Sequence, residues 1–142
     1  MTMPNIQRAI KAASALVIVV GAVLALAALP ATSGPTALLA DLIFWPLDGH
    51  PALVAPAPRL LAAISGGVMV GWGVLLWTVA TRVLPVDVAL GASVIRTSVI
   101  TWFAVDSLAS VLAGAPVNVV LNAVFLAAFL VPLAAVAPRP AA

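Results

Sequence analysis

Two charges and two carboxamides stand inside apolar sequence: Arg96 and Asp106 within residues 86–115, then Asn118 and Asn122 in the next apolar run. An ionisable group in such a helix either locks helices together or handles an ion, a proton or a polar ligand. A carboxylate beside two carboxamides suits the second task, because it can change protonation or coordinate a cation through oxygen. Arg96 and Asp106 cannot neutralise each other. The ten residues between them correspond to about 15 Å along a helix and a rotation of roughly 280°.

Each charge therefore needs its own partners. Asp106 lies eight residues before Gly114 and Asn122 eight after it, while Ser110 and Asn118 lie four before and four after. In an antiparallel pair turning at Gly114 these residues meet at equal depth, and the i, i+4 spacing puts Asp106 with Ser110, and Asn118 with Asn122, on one face. Such a ladder fixes helix pairing or forms a site for an ion, proton or ligand. Arg59 is the expected counter-charge of Asp106. Arg96, nine residues after Asp87, sits about 13 Å into an apolar layer about 30 Å thick, at a depth that residues 72–77 with Trp72 and Trp77 should share. It reads either as a packed, snorkelling arginine in contact with those rings or as a binder of an anionic group.

The elements that must position these residues follow from composition. The chain has 142 residues, 65% hydrophobic and 7% charged, with a mean hydropathy of +1.28, far from the soluble range. Lipid is the expected solvent and partner. With no cysteine, disulfide, thiol-redox and thiolate-metal chemistry are excluded. The pI near 10.6 arises from six basic against four acidic residues, too few for a nucleic-acid surface.

Twelve prolines punctuate the apolar runs and, because proline breaks helix interiors, leave spans at about 12–29, 59–82, 87–111 and 117–136. The first span could pass for a secretory signal, but its apolar run exceeds the usual h-region and reads as a retained anchor. Arg8, Lys11, Arg82 and Arg139 fall on one side of an even-numbered bundle and Arg59 on the other, so the positive-inside rule predicts cytoplasmic termini and places Asp41, Asp48 and His50 outside. Ser33-Gly34-Pro35 starts a helix at about 35–45, too short to span and expected in the outer interface or tucked back against the bundle. Short links make the last three spans antiparallel neighbours. In the second span, Gly67 and Gly71 have the GxxxG spacing of close helix packing, within this chain or against a second copy. The two halves show no inverted repeat.

Catalysis has a thin residue supply. His50 is the single histidine, an acid–base dyad with Asp41 or Asp48 has no nucleophile in a recognisable setting, and all four acidic residues are aspartates. The chain is therefore not read as an enzyme, and no metal or cofactor is expected.

The combination of residues 44–49 (Phe-Trp-Pro-Leu-Asp-Gly), Gly71-Trp72-Gly73, residues 102–107 (Trp-Phe-Ala-Val-Asp-Ser) and Asn118 with Asn122 resembles a group of small, uncharacterised four-helix bacterial membrane proteins. The broader DoxX-like class is similar in size and helix count alone. The resemblance implies a bacterial inner-membrane protein and carries no activity or site residue. The chain lacks the glutamates and arginines of membrane glutathione-transferase relatives and the membrane glutamate of small multidrug exporters.

These readings converge on an all-α, single-domain integral membrane protein: a four-helix up-and-down bundle with a short interfacial helix between helices 1 and 2. The expected role is an accessory or structural membrane protein whose polar cluster fixes helix pairing, with a homo-oligomer or a membrane protein as partner. The alternative is a small transporter or ligand-binding membrane protein using Asp106, Ser110, Asn118, Asn122 and Arg59.

Overall fold

Prolines stand at the start of three α-helices in this chain. In the computed structural model, which describes residues 2–49 and 53–136, α1 (Met3–Leu26), α2 (Gly34–Phe44) and α3 (Pro56–Thr78) each carry a proline at the first or second helical position. There the missing N–H has no intrahelical partner to lose. Consequently α1 begins at Met3 rather than at about residue 12, with Arg8 and Lys11 on the helix, and α3 begins at Pro56 rather than at 59. The helix α3 runs on through a π turn, Val79–Val83, closed by Leu84 N–H donating to Val79 O at 2.9 Å. Gln7 Nε2 donates to Ala80 O at 3.0 Å in that turn. Asp87 caps α4 (Val88–Leu112) by accepting from Leu90 N–H at 2.8 Å. The last helix, α5 (Val117–Leu133), carries Pro132 in its final turn. His50 and Arg139 lie outside the described residues.

No strand occurs among the described residues. Three helical stretches, Met3–Leu26, Pro56–Val83 and Val88–Leu112, are long and apolar enough to cross a membrane. The 17 residues of α5 reach about 25 Å, and the helix stops at Leu133 instead of running to 136.

Two antiparallel pairs organise the molecule. In the first, α1 lies on α3. The contacts step in opposite directions along the two helices, from Ala25 beside Gly66, through Ile18 and Ser14 beside Gly73, to Lys11 over Trp77 and Gln7 at Ala80. Glycines make this pair close: a Cβ on Gly66 would collide with the backbone of Gly21 and Ala25, and one on Gly21 would come within 2.8 Å of Gly66 O. Gly67 and Gly71, expected to carry the packing, have nothing within 4 Å of their Cβ positions. The packing face holds Gly66 and Gly73, seven residues apart and thus also on one side of the helix.

The second pair is α4 against α5, turning at Gly114, whose φ of 79° lies in the left-handed region that glycine adopts without penalty. Ala115 N–H donating to Ser110 O at 2.9 Å closes the turn and sets the pair's register. The pairs meet at the Leu84 end, where Ile10, Leu76, Leu84, Ile95, Phe129 and Leu133 form the dry core. The α3 to α4 link is short, yet these helices approach closely only around the π turn and at Trp72, and then diverge. Toward Gly114 the interior is hollow. A cavity of about 1110 Å³ lies between the pairs, and α2 contributes Leu39, Leu42 and Ile43 to its wall. Thr36 Oγ1, donating to Val23 O at 3.0 Å, ties α2 to α1.

Candidate functional site

The Gly114 turn delivers Asp106, Ser110, Asn118 and Asn122 to one another. Asn122 Nδ2 donates to Asp106 Oδ2 at 2.6 Å and to Ser107 Oγ at 3.2 Å. Asn118 Nδ2 donates to Ser110 Oγ at 2.9 Å and, more distantly, to Asp106 Oδ2 at 3.4 Å. Ser110 Oγ in turn donates to Asp106 O at 2.7 Å. A carboxylate only accepts, so both amides must present nitrogen to it, which fixes their orientation. Asn122 is 5% and Ser107 8% exposed. Ser107 adds a member that the i, i+4 spacing alone did not select. It neighbours Asp106 in sequence, and the helix rotation of about 100° per residue still leaves it facing α5.

Asp106, Asn118 and Asn122 line the cavity. Asp106 receives both amides on Oδ2, whereas Oδ1 accepts no hydrogen bond among the described residues and is not sealed from the surroundings. Among the described residues Asp106 is the one charged side chain in the lining. Next to it is an aromatic group: Trp102, one turn before Asp106, lies 5.4 Å from Trp72 and 6.3 Å from Phe125 between ring centroids. Trp72 Nε1 donates to Ser98 Oγ at 2.8 Å, satisfying the indole where α3 and α4 part. Aliphatic side chains supply most of the remaining wall.

Arg59 is not the counter-charge of Asp106. No ion pair joins them among the described residues, and Arg59 Nε is buried without a hydrogen-bond partner. The reason is the divergence of α3 from α4: Arg59 lies N-terminal to Gly66, which packs beside the last turns of α1, and outside the cavity wall.

Arg96 has a different occupation from the expected ring contact. Its Nη2 donates to Leu133 O at 2.5 Å and to Val136 O at 2.6 Å, so the guanidinium caps the end of α5. The last carbonyls of a helix have no intrahelical donors and carry its negative dipole end, a fitting partner for a cation. Trp77 is instead covered by Lys11, with Nζ 4.8 Å from the ring centroid. The sequence offered one signal for the cap, Pro132, which marks where α5 must stop.

Asp41, expected on the outer side with Asp48 and His50, is 8% exposed. Its carboxylate accepts from the backbone N–H groups of Asp48 and Gly49 at 3.2 Å, folding the chain back after α2. That is the role of a loop organiser.

No protein-family model, curated protein or solved structure matches this chain. The reading of function therefore rests on the chemistry of the cavity.

Proposed function

We propose that this chain is a multi-pass membrane protein that binds a small, largely apolar molecule in the cavity beside Asp106. The observation that carries the proposal is the free Oδ1 of Asp106 on the wall of a cavity of about 1110 Å³. A large apolar pocket with a few convergent polar groups is the usual form of a small-molecule site. The membrane setting is supported by the three long apolar helices and by exposed aliphatic side chains away from the cavity wall, including Leu61, 65% exposed, and Val124, 62% exposed. In this setting α1, α3, α4 and α5 form a four-helix up-and-down bundle, with α2 in the outer interface. Lys11 and the π turn with Arg82 share one end, opposite Arg59. The positive-inside rule then puts both termini in the cytoplasm of a bacterial cell.

The proposal is tested with the full chain in lipid nanodiscs, using the neutral fluorophore N-phenyl-1-naphthylamine. Saturable binding above that of empty nanodiscs is expected, and Ala109→Trp, which fills the cavity wall, should remove it. Binding that never saturates, or that survives the cavity-filling change, would contradict the proposal.

One observation favours a second reading, an accessory protein whose polar cluster serves helix pairing. All the amide donors described at the cluster bond within α4 and α5. On that reading the fluorophore shows no saturable binding, and Asp106→Asn acts on stability alone.

A further inference from the structure

We infer that the occupant of the cavity is an amine: a molecule with an apolar, partly aromatic body and one protonated amino group that donates to Asp106. This deepens the ligand-binding reading and rests on it.

The first ground is the polarity of the cluster. Asn118 and Asn122 turn their N–H groups toward Asp106, Ser107 and Ser110. The oxygens of both carboxamides and Oδ1 of Asp106 accept nothing among the described residues, and none of them is sealed. The amide donors of the corner are thus committed within it, and three acceptor oxygens stay open beside hydroxyls that can donate or accept. A ligand that brings N–H donors completes these acceptors, whereas a carboxylate or phosphate would set its charge against that of Asp106.

The second ground is charge. Among the described residues no cation accompanies Asp106 in the cavity lining. Three basic side chains are engaged elsewhere or apart from it: Arg96 caps α5, Lys11 covers Trp77, and Arg59 makes no ion pair with Asp106 among the described residues. An ionised carboxylate in a mainly apolar cavity is costly without an opposite charge, and a ligand ammonium supplies one.

The third ground is the wall beside the carboxylate. Trp102 and Phe125 stand edge to face, and Trp72 leans on Trp102. Aromatic faces attract an ammonium group and pack an apolar body. A bare metal ion is poorly served, because a hard cation takes about six to eight oxygen ligands and the wall beyond the cluster is mostly carbon. An aminolipid headgroup is disfavoured by depth: Asp106 is eight residues from the Gly114 turn, about 12 Å along the helix, below the headgroup level.

The test compares three near-isosteric probes on the full-length protein in phosphatidylcholine nanodiscs: 4-phenylbutylamine, 4-phenylbutanol and 4-phenylbutanoate. The amine should bind at least about tenfold more tightly than the alcohol, and the carboxylate should bind more weakly than both. Equal binding of amine and alcohol would overturn the amine assignment and leave the ligand-binding reading standing. Failure of all three probes to show saturable binding would sink the ligand-binding reading itself. In Asp106→Asn the amine should fall to the level of the alcohol. An amine preference that survives in folded Asp106→Asn would remove Asp106 from the site, and the wild-type ratio decides the ligand class even if that variant does not fold. Adding phosphatidylethanolamine to the nanodiscs should leave the amine affinity unchanged. A marked loss there would overturn the free-amine assignment in favour of an aminolipid headgroup.

Discussion

Arg96 and Asp106 sit on one helix, ten residues apart, in opposite surroundings. Around Arg96 the helices close into a dry core, and the guanidinium hydrogen-bonds to two carbonyls at the end of α5. Around Asp106 the same helix faces a cavity, and one carboxylate oxygen has no hydrogen-bond partner among the described residues. A charge in an apolar helix is thus ambiguous until its remaining hydrogen-bonding capacity is counted. The positive charge completes a short helix, whereas the negative charge leaves an acceptor open to a ligand.

The largest effect that would break this contrast is at Arg96. Arg96→Met should destabilise the protein by about 2–3 kcal/mol, the scale of hydrogen bonds to a charged group whose partners are left unsatisfied. Equilibrium unfolding in mixed micelles would measure it. A neutral result would remove the structural role assigned to Arg96.

Close behind is a pair of glycine substitutions that probes why one half is dry. Gly66→Ala should cost about 1–3 kcal/mol through overpacking against α1, while Gly67→Ala should be neutral or stabilising by up to about 1 kcal/mol, the helix-propensity gain. Equal effects in the same unfolding assay would contradict the packing face described for α3.

Asp106→Asn should change stability by less than about 1 kcal/mol, the scale of polar contacts between membrane helices, while abolishing the preference for an amine. Smallest of all is Lys11→Met, which removes the cation over Trp77 and should cost about 0.5–1 kcal/mol. Its effect would be read as a shift in tryptophan emission together with the unfolding midpoint.

Much of the hollow half was legible in the sequence. Gly114 fixes a turn, and equal spacing on either side of it brings Asp106 opposite Asn122 and Ser110 opposite Asn118, because a short-range rule determines the geometry. The short helix after Pro35 was legible for the same reason: proline at a helix start acts locally. The cavity was not, since it depends on how far α3 and α4 diverge, which follows from competing contacts made by whole helices. The failure at Gly67 and Gly71 has a related cause. GxxxG marks a helix face on which backbones can approach, yet Gly66 and Gly73 offer a second such face, and Gly21 on α1 decides between them. Matching depth does not bring Arg59 to Asp106, because α3 and α4 diverge toward that end.

The most direct measurement is thiol reactivity in a chain that has no native cysteine. Ala109→Cys places a thiol on the cavity wall, one turn from an intact Asp106, and Val99→Cys places one in the dry core, where the side chain is 0% exposed. In nanodiscs the thiol at residue 109 should react with the cationic reagent aminoethyl methanethiosulfonate, and faster than with the neutral methyl reagent, with protection by 4-phenylbutylamine. The thiol at residue 99 should stay inert. Equal inertness at both positions would contradict an accessible cavity beside Asp106, and with it the contrast between the two halves of this protein.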